Sequence, residues 1–310
     1  MRPPSRILPP HLTACAIACA LAALAGGCAL SAPPTAQLAG LLLDERLGAV
    51  SGLAASRRHE DLLWVHNDGG GGPVLYALGP RGGVRSVLEI EGVLNTDWED
   101  MAAFTLDGRH YLLVADTGDN GGLRHTLQLH VVEEPARIAE RARAPAAWSI
   151  AFRWPDGPRD CEAVAVDAAN GRILLVSKKR RPPEVFSLPL RSAGDAILVA
   201  EPLGTLTGVP APDEAERQAD PGRPSLRGHV TAADLSPDGR RLAVLTYEEV
   251  LVYERGPGET WERAFARPPR LHPLPLLPQA EALGWSADGA RLHATGEFRP
   301  APLLLLNPDP

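Results

Sequence analysis

Five oxygen-bearing residues, Ser51, Asp100, Glu162, Thr231 and Glu281, stand at one repeated position along the chain, each five residues ahead of a turn. Three are carboxylates and two are hydroxyls, so a fold that gathered these positions around one axis would build a ring of hard oxygen ligands. A second acidic set closes apolar runs in the same units: Asp68, Asp116, Glu248 and Glu297. Asp119 joins Asp116 in the compact turn Asp116-Thr117-Gly118-Asp119-Asn120. Clustered carboxylates are stable where a cation neutralises them, and oxygen donors beside a Gly-containing turn suit Ca²⁺ or Mg²⁺. The expected metal ligands are Asp100, Asp116, Asp119, Glu162 and Glu281, with calcium as the expected cofactor. The same residues also fit ordinary solvated strand ends, where acidic side chains are common.

Lys178 and Lys179 are the only lysines in the chain, and both end the apolar run Ile173-Leu174-Leu175-Val176. An ammonium beside a carboxylate-held cation can engage phosphate, which makes Glu162 and Lys178 the candidate catalytic pair. As gatekeeper charges the lysines would only protect a strand end. The motifs G-x-S-x-G, H-E-x-x-H and C-x-x-C are absent. Cys161 alternates away from Glu162 and reads as a buried structural thiol, and His66 has no identifiable partner.

The elements that must position these residues recur five times. Each unit holds a short apolar run, a turn, a second run ending in polar residues, and a third run. The inner runs begin at Ser51, Asp100, Glu162, Thr231 and Glu281, about 50 to 70 residues apart, the spacing of a repeat architecture. Ser236-Pro237-Asp238-Gly239 and Ser286-Ala287-Asp288-Gly289 join first and second runs, as Asp107-Gly108 and Asn170-Gly171 do elsewhere. Such turns need left-handed residues and close hairpins.

Short strands at regular spacing predict an all-β chain folded as a β-propeller, five blades by repeat count with six as the alternative. Fourth strands are expected at Val84–Ile90, Ala147–Arg153, Ile197–Leu206 and Arg263–Arg267. The fifth unit runs out of chain, so Ala36–Leu43 is expected to supply its outer strand and close the ring. Pro210–Pro224 reads as a surface loop, and Ala136–Arg143 as a helix.

The chain has 310 residues, 45% of them hydrophobic and 22% charged, and its 30 Gly and 31 Pro imply many turns. The net charge of -7 argues against nucleic acid, whose phosphates demand clustered cations. Arg2 and Arg6 precede an apolar stretch, Leu12–Ala25, which ends in Ala25-Gly26-Gly27-Cys28. The stretch is short for a spanning helix, which needs roughly 20 residues, and reads as a secretory signal. The small residues before Cys28 resemble the bacterial lipobox, which implies lipidation of Cys28 and, with Ala29 following, the outer membrane. The expected organisation is a signal at 1–27, a lipidated tether at 28–35 and one propeller at 36–310. Of the four cysteines only Cys161 would then remain in the folded part, with no intramolecular disulfide.

Three segments carry a resemblance: Asn95-Thr96-Asp97-Trp98-Glu99-Asp100-Met101-Ala102, Ala115-Asp116-Thr117-Gly118-Asp119-Asn120, and Pro155-Asp156-Gly157-Pro158-Arg159-Asp160-Cys161-Glu162-Ala163. They resemble bacterial phytase-like β-propeller proteins, including domains described as esterase-like activity of phytase. The likeness spans most of residues 48–300. The Ser236–Leu242 turn resembles the repeat of TolB-type propellers. In propeller phytases, calcium held by acidic residues bridges substrate phosphates and activates water. The resemblance therefore implies Asp100, Glu162 and Glu281 as ligands and Lys178 as a phosphate contact.

Together these features lead to an expectation of a bacterial cell-envelope lipoprotein whose propeller is a metal- or ligand-binding module with an acidic channel mouth. A Ca²⁺-dependent phosphoesterase is the alternative, and a carboxylic-ester hydrolase a third reading without a visible nucleophile. The expected partners are the membrane through Cys28, a phosphorylated small molecule or an envelope protein.

Overall fold

The structure is a computed structural model, and it describes residues 36–192, 194, 196–219, 225–275 and 277–309. The signal, Cys28 and the tether lie outside the described residues. Strand β1 (Ala36–Leu42) leads into a first meander, β2 (Val50–Ala55), β3 (Leu63–Asn67), β4 (Val74–Leu78) and β5 (Val84–Glu91). The second is β6 (Trp98–Leu106), β7 (Arg109–Asp116), β8 (Leu127–Glu133) and β9 (Arg141–Arg153). The third holds β10 (Cys161–Asp167), β11 (Arg172–Ser177), β12 (Glu184–Pro189), the short β13 (Leu198–Val199) and β14 (Glu201–Thr205). The fourth is β15 (Val230–Leu235), β16 (Arg241–Thr246), β17 (Glu249–Glu254) and β18 (Arg270–Pro273). The last comprises β19 (Ala280–Trp285), β20 (Leu292–Gly296) and β21 (Ala301–Leu306).

Strand β1 pairs antiparallel with β21, so the beginning of the described chain completes the last unit as expected. The innermost strands β2, β6, β10, β15 and β19 pack side by side in a closed ring, the arrangement of a β-propeller. These strands are rich in Ala and Gly, which lets them converge on the axis. At Gly284 an added Cβ would fall 2.9 Å from the carbonyl oxygen of Leu53 on the neighbouring inner strand, so only glycine fits. Five apolar clusters fill the spaces between adjacent units, one of them built on Trp64, Trp98, Met101 and Leu112. The segment between β12 and β15, where a sixth unit could hide, holds no further meander among the described residues.

Three expectations are corrected. Residues 136–143 are not helical: Arg141–Arg153 is one long strand, β9, whose first half pairs in parallel with β5. The alternation of Arg and small residues through Arg141-Ala142-Arg143-Ala144 is a strand period, exposed and half-buried in turn. The segment Trp261–Phe265 is a short helix because Trp261, Ala264 and Phe265 form one buried face, and the outer strand follows it at β18. The loop after Pro210 carries the helix Glu214–Ala219. The β5–β9 pairing fuses the first two units, and β13, paired in parallel with β9, completes a nine-stranded sheet.

Candidate metal centre at the channel mouth

Every inner strand breaks its ladder at its second residue. The register shifts between Val50 and Gly52, Trp98 and Asp100, Cys161 and Ala163, Val230 and Ala232, and Ala280 and Ala282. A bulge leaves one residue unpaired and re-aims its side chain. The five bulged residues are Ser51, Glu99, Glu162, Thr231 and Glu281, and all five are buried.

The second unit therefore presents Glu99 where counting back from the turn selects Asp100. The reason lies at the far end of the strand. Strand β6 runs on to a two-residue turn in which Asp107 and Gly108 are both left-handed, so its turn is a displaced register mark. Two residues after each bulge stands a fully buried apolar residue, Leu53, Met101, Val164, Ala233 or Leu283, and counting two back from Met101 selects Glu99.

The bulge brings Glu99 together with residues of two loops and the third unit. Ligand oxygens of Glu99, Asp160 and Glu162 all lie within 4.8 Å of one another, and those of Asp68, Asp97 and Glu99 do so as well. The two groups share Glu99. Ser51 Oγ donates to Glu99 Oε2 at 3.4 Å. Glu99 and Asp97 press against Gly118, where a methyl group would overlap both carboxylates. Burial, with Glu162 and Asp68 nearby, pushes the Glu99 pKa far above the usual carboxylate range. Burial and then Asp68 raise Asp97. Burial also raises Glu162, against the pull of Lys178.

The two lysines sit at this cluster. Lys178 Nζ contacts Glu162 Oε2 and lies 5.7 Å from the centre of the Tyr247 ring. Although burial disfavours its charge, Glu162 and Glu281 outweigh burial and raise its pKa. Lys179 Nζ lies 2.8 Å from Asp160 Oδ2. Tyr247 donates its hydroxyl hydrogen to Glu281 Oε1 at 2.9 Å, while buried Glu281 Oε2 has no hydrogen-bond partner among the described residues.

The other expected ligands have structural partners. Asp100 Oδ2 accepts from Val164 N at 2.8 Å and Ala233 N at 3.1 Å, and Oδ1 accepts from Met101 N. It thus ties inner strands of the second, third and fourth units across the axis, where unpaired backbone donors would otherwise be orphaned. Asp116 accepts from Thr96 N, Asp97 N and Arg124, fixing the loop that carries Asp97. Asp119 accepts from Leu123 N and Arg124 N within its own turn, while its backbone N–H donates to Asp160 at 2.9 Å. Sequence reasoning missed Glu99, Asp97 and Asp160 as site residues, although all three lie inside the segments that carry the family resemblance.

No family model matches the chain, and no curated protein matches it. Among solved structures, a crystal structure of a nidogen/laminin complex is similar, with 12% sequence identity and a TM-score of 0.45. The match covers 82% of this chain and 74% of that chain.

Proposed function

We propose that this protein is a cation-binding propeller of the bacterial cell envelope, held at the outer membrane by lipid on Cys28. Its mouth holds a divalent cation, calcium by the chemistry of the donors. The observation that carries this reading is the group Glu99, Asp160 and Glu162, three buried carboxylates with oxygens within 4.8 Å of one another. Burying that much like charge is costly unless the groups are protonated or neutralised. Two lysines balance part of it, and a hard cation fits the remaining all-oxygen donor set.

The direct test strips the purified full-length protein with chelator and titrates Ca²⁺ by calorimetry. Binding of about micromolar strength, about -8 kcal/mol, is expected, together with a rise in melting temperature. Glu99→Gln should abolish both effects, and absence of binding to wild type overturns the reading. Metabolic labelling with palmitate, lost in Cys28→Ser, tests the anchor.

A second reading, a Ca²⁺-dependent phosphoesterase resembling the phytases, is favoured by Lys178, whose ammonium stands against Glu162 beside the cluster. A bound cation would polarise a phosphoryl oxygen and acidify bound water, and Lys178 would hold the phosphate's negative charge. Release of phosphate from a panel of phosphomonoesters, stimulated by Ca²⁺ and lost in Lys178→Met, is the expected result. No stimulated release from any ester leaves binding alone.

A further inference from the structure

The loops at the acidic end of the channel carry large apolar side chains that are exposed among the described residues. Leu94 is 76% exposed just ahead of β6, Leu123 is 78% exposed between β7 and β8, and Phe298 is 57% exposed between β20 and β21. Leu43 and Leu226, also exposed, lie in the loops leading into β2 and β15. Inner strands start at this end and second strands finish there, so all five belong to the face that holds Glu99. The Leu94 carbonyl accepts from Nε1 of Trp98, the residue between Asp97 and Glu99, and Leu123 N donates to Asp119, whose own N–H donates to Asp160.

Exposed apolar side chains gathered around a polar centre mark interaction surfaces, where apolar contacts supply affinity and charge supplies selection. The charge to be matched at this centre is negative. Lys178 shows how the mouth receives an ammonium: against the Glu162 carboxylate, with the Tyr247 ring nearby. Glu281, buried beside it, keeps Oε2 without a hydrogen-bond partner among the described residues. A bilayer is a poorer match, because the mouth carboxylates repel anionic headgroups.

We propose that the mouth face docks a segment of another protein that presents a lysine or arginine side chain between apolar side chains. The cationic group enters the carboxylate cluster and its apolar neighbours rest on Leu94, Leu123 and Phe298. The docking shares the mouth carboxylates with the proposed cation but needs no metal, so it is tested without one.

The test uses full-length protein in calcium-free buffer and two fluorescent synthetic peptides, one alternating leucine with lysine and one with glutamate in place of lysine. Anisotropy should show the lysine peptide binding at least about tenfold tighter, with the difference shrinking as salt rises. The triple variant Leu94→Ser, Leu123→Ser, Phe298→Ser alters only exposed side chains. It should weaken the lysine peptide by about tenfold and leave the calorimetric Ca²⁺ titration unchanged. Equal binding of the two peptides, or an unchanged affinity in the triple variant, overturns the proposal. Binding of phosphatidylcholine/phosphatidylglycerol vesicles that the triple variant loses also overturns it, in favour of a lipid surface. Loss of Ca²⁺ binding in Glu99→Gln bears on the cation reading alone.

Discussion

Glu99 and Asp100 are consecutive residues whose carboxylates part at a β-bulge: Glu99 joins the mouth cluster, while Asp100 accepts the backbone N–H groups of Val164 and Ala233. One stands among the buried carboxylates of the mouth. The other completes the hydrogen bonding of the inner ring.

This division predicts opposite phenotypes. Asp100→Ala should cost about 3 to 5 kcal/mol in urea unfolding, because it strands buried donors on three inner strands. Asp100→Asn keeps one acceptor oxygen for Val164 N and Ala233 N and loses only the acceptor of Met101 N, so it should cost less, about 1 to 3 kcal/mol, and keep Ca²⁺ binding. Glu99→Gln should retain the fold and lose the cation. Loss of cation binding in a folded Asp100→Asn would show that the two roles are not separate.

Gly118→Ala places a methyl group on the Glu99 and Asp97 carboxylates. The variant should bind Ca²⁺ at least about tenfold more weakly, a loss of about 1.4 kcal/mol. Calorimetry and a crystal structure of the variant check this together, since the carboxylates must be seen to move apart.

Lys178→Met removes the ammonium that contacts Glu162. Without added metal the protein should lose about 3 to 5 kcal/mol, the usual cost of leaving one member of a buried pair uncompensated. Excess Ca²⁺ should restore much of that loss, because a cation and Lys178 compete for the same carboxylate. A variant equally unstable with and without Ca²⁺ would place the cation away from Glu162.

Stability of the metal-free protein should fall as pH rises. Burial pushes Asp234 up to about 6, and burial with like charges raises Glu99 and Glu162 further. A carboxyl with a raised folded pKa binds more protons folded than unfolded between its two pKa values, so its contribution is complete below the unfolded value and lost through the folded one. For Asp234 that window runs from about pH 4 to about pH 6 and amounts to about 3 kcal/mol. Glu99 extends the decline through neutrality. Melting temperature should therefore drop as pH rises from about 4 through neutrality, and excess Ca²⁺ should flatten the curve by displacing protons. Calorimetry in buffers of different ionisation enthalpy should detect that proton release. Binding without proton release would mean that the carboxylates are already ionised.

The propeller was legible because its signals are local: Asp-Gly and Asn-Gly turns, alternating apolar runs, and a first strand able to complete the last unit. The site was legible only in part. Glu162 follows from the repeat, but selecting Glu99 over Asp100 depends on bulges at one end of the strands and on hairpin lengths at the other. Asp160 and Asp97 precede their inner strands, and only the folded loops bring them to Glu99. Strand β9 was misread in part because its partner β5 lies some fifty residues earlier, a pairing that local propensity does not report.

The pairing of β1 with β21 also has a mechanical side. Ala36 lies opposite Leu306 and Leu42 opposite Ala301, so the two strands run antiparallel, with one bulge between Leu38 and Gly40. Tension on the chain ahead of Ala36, directed along β1, would load the hydrogen bonds of this seam together, as shear. An oblique pull would open them one after another from the Leu306 end. The ring closure is a clasp whose holding strength depends on the angle of pull, and forced opening is governed by the rate of rupture and not by equilibrium stability.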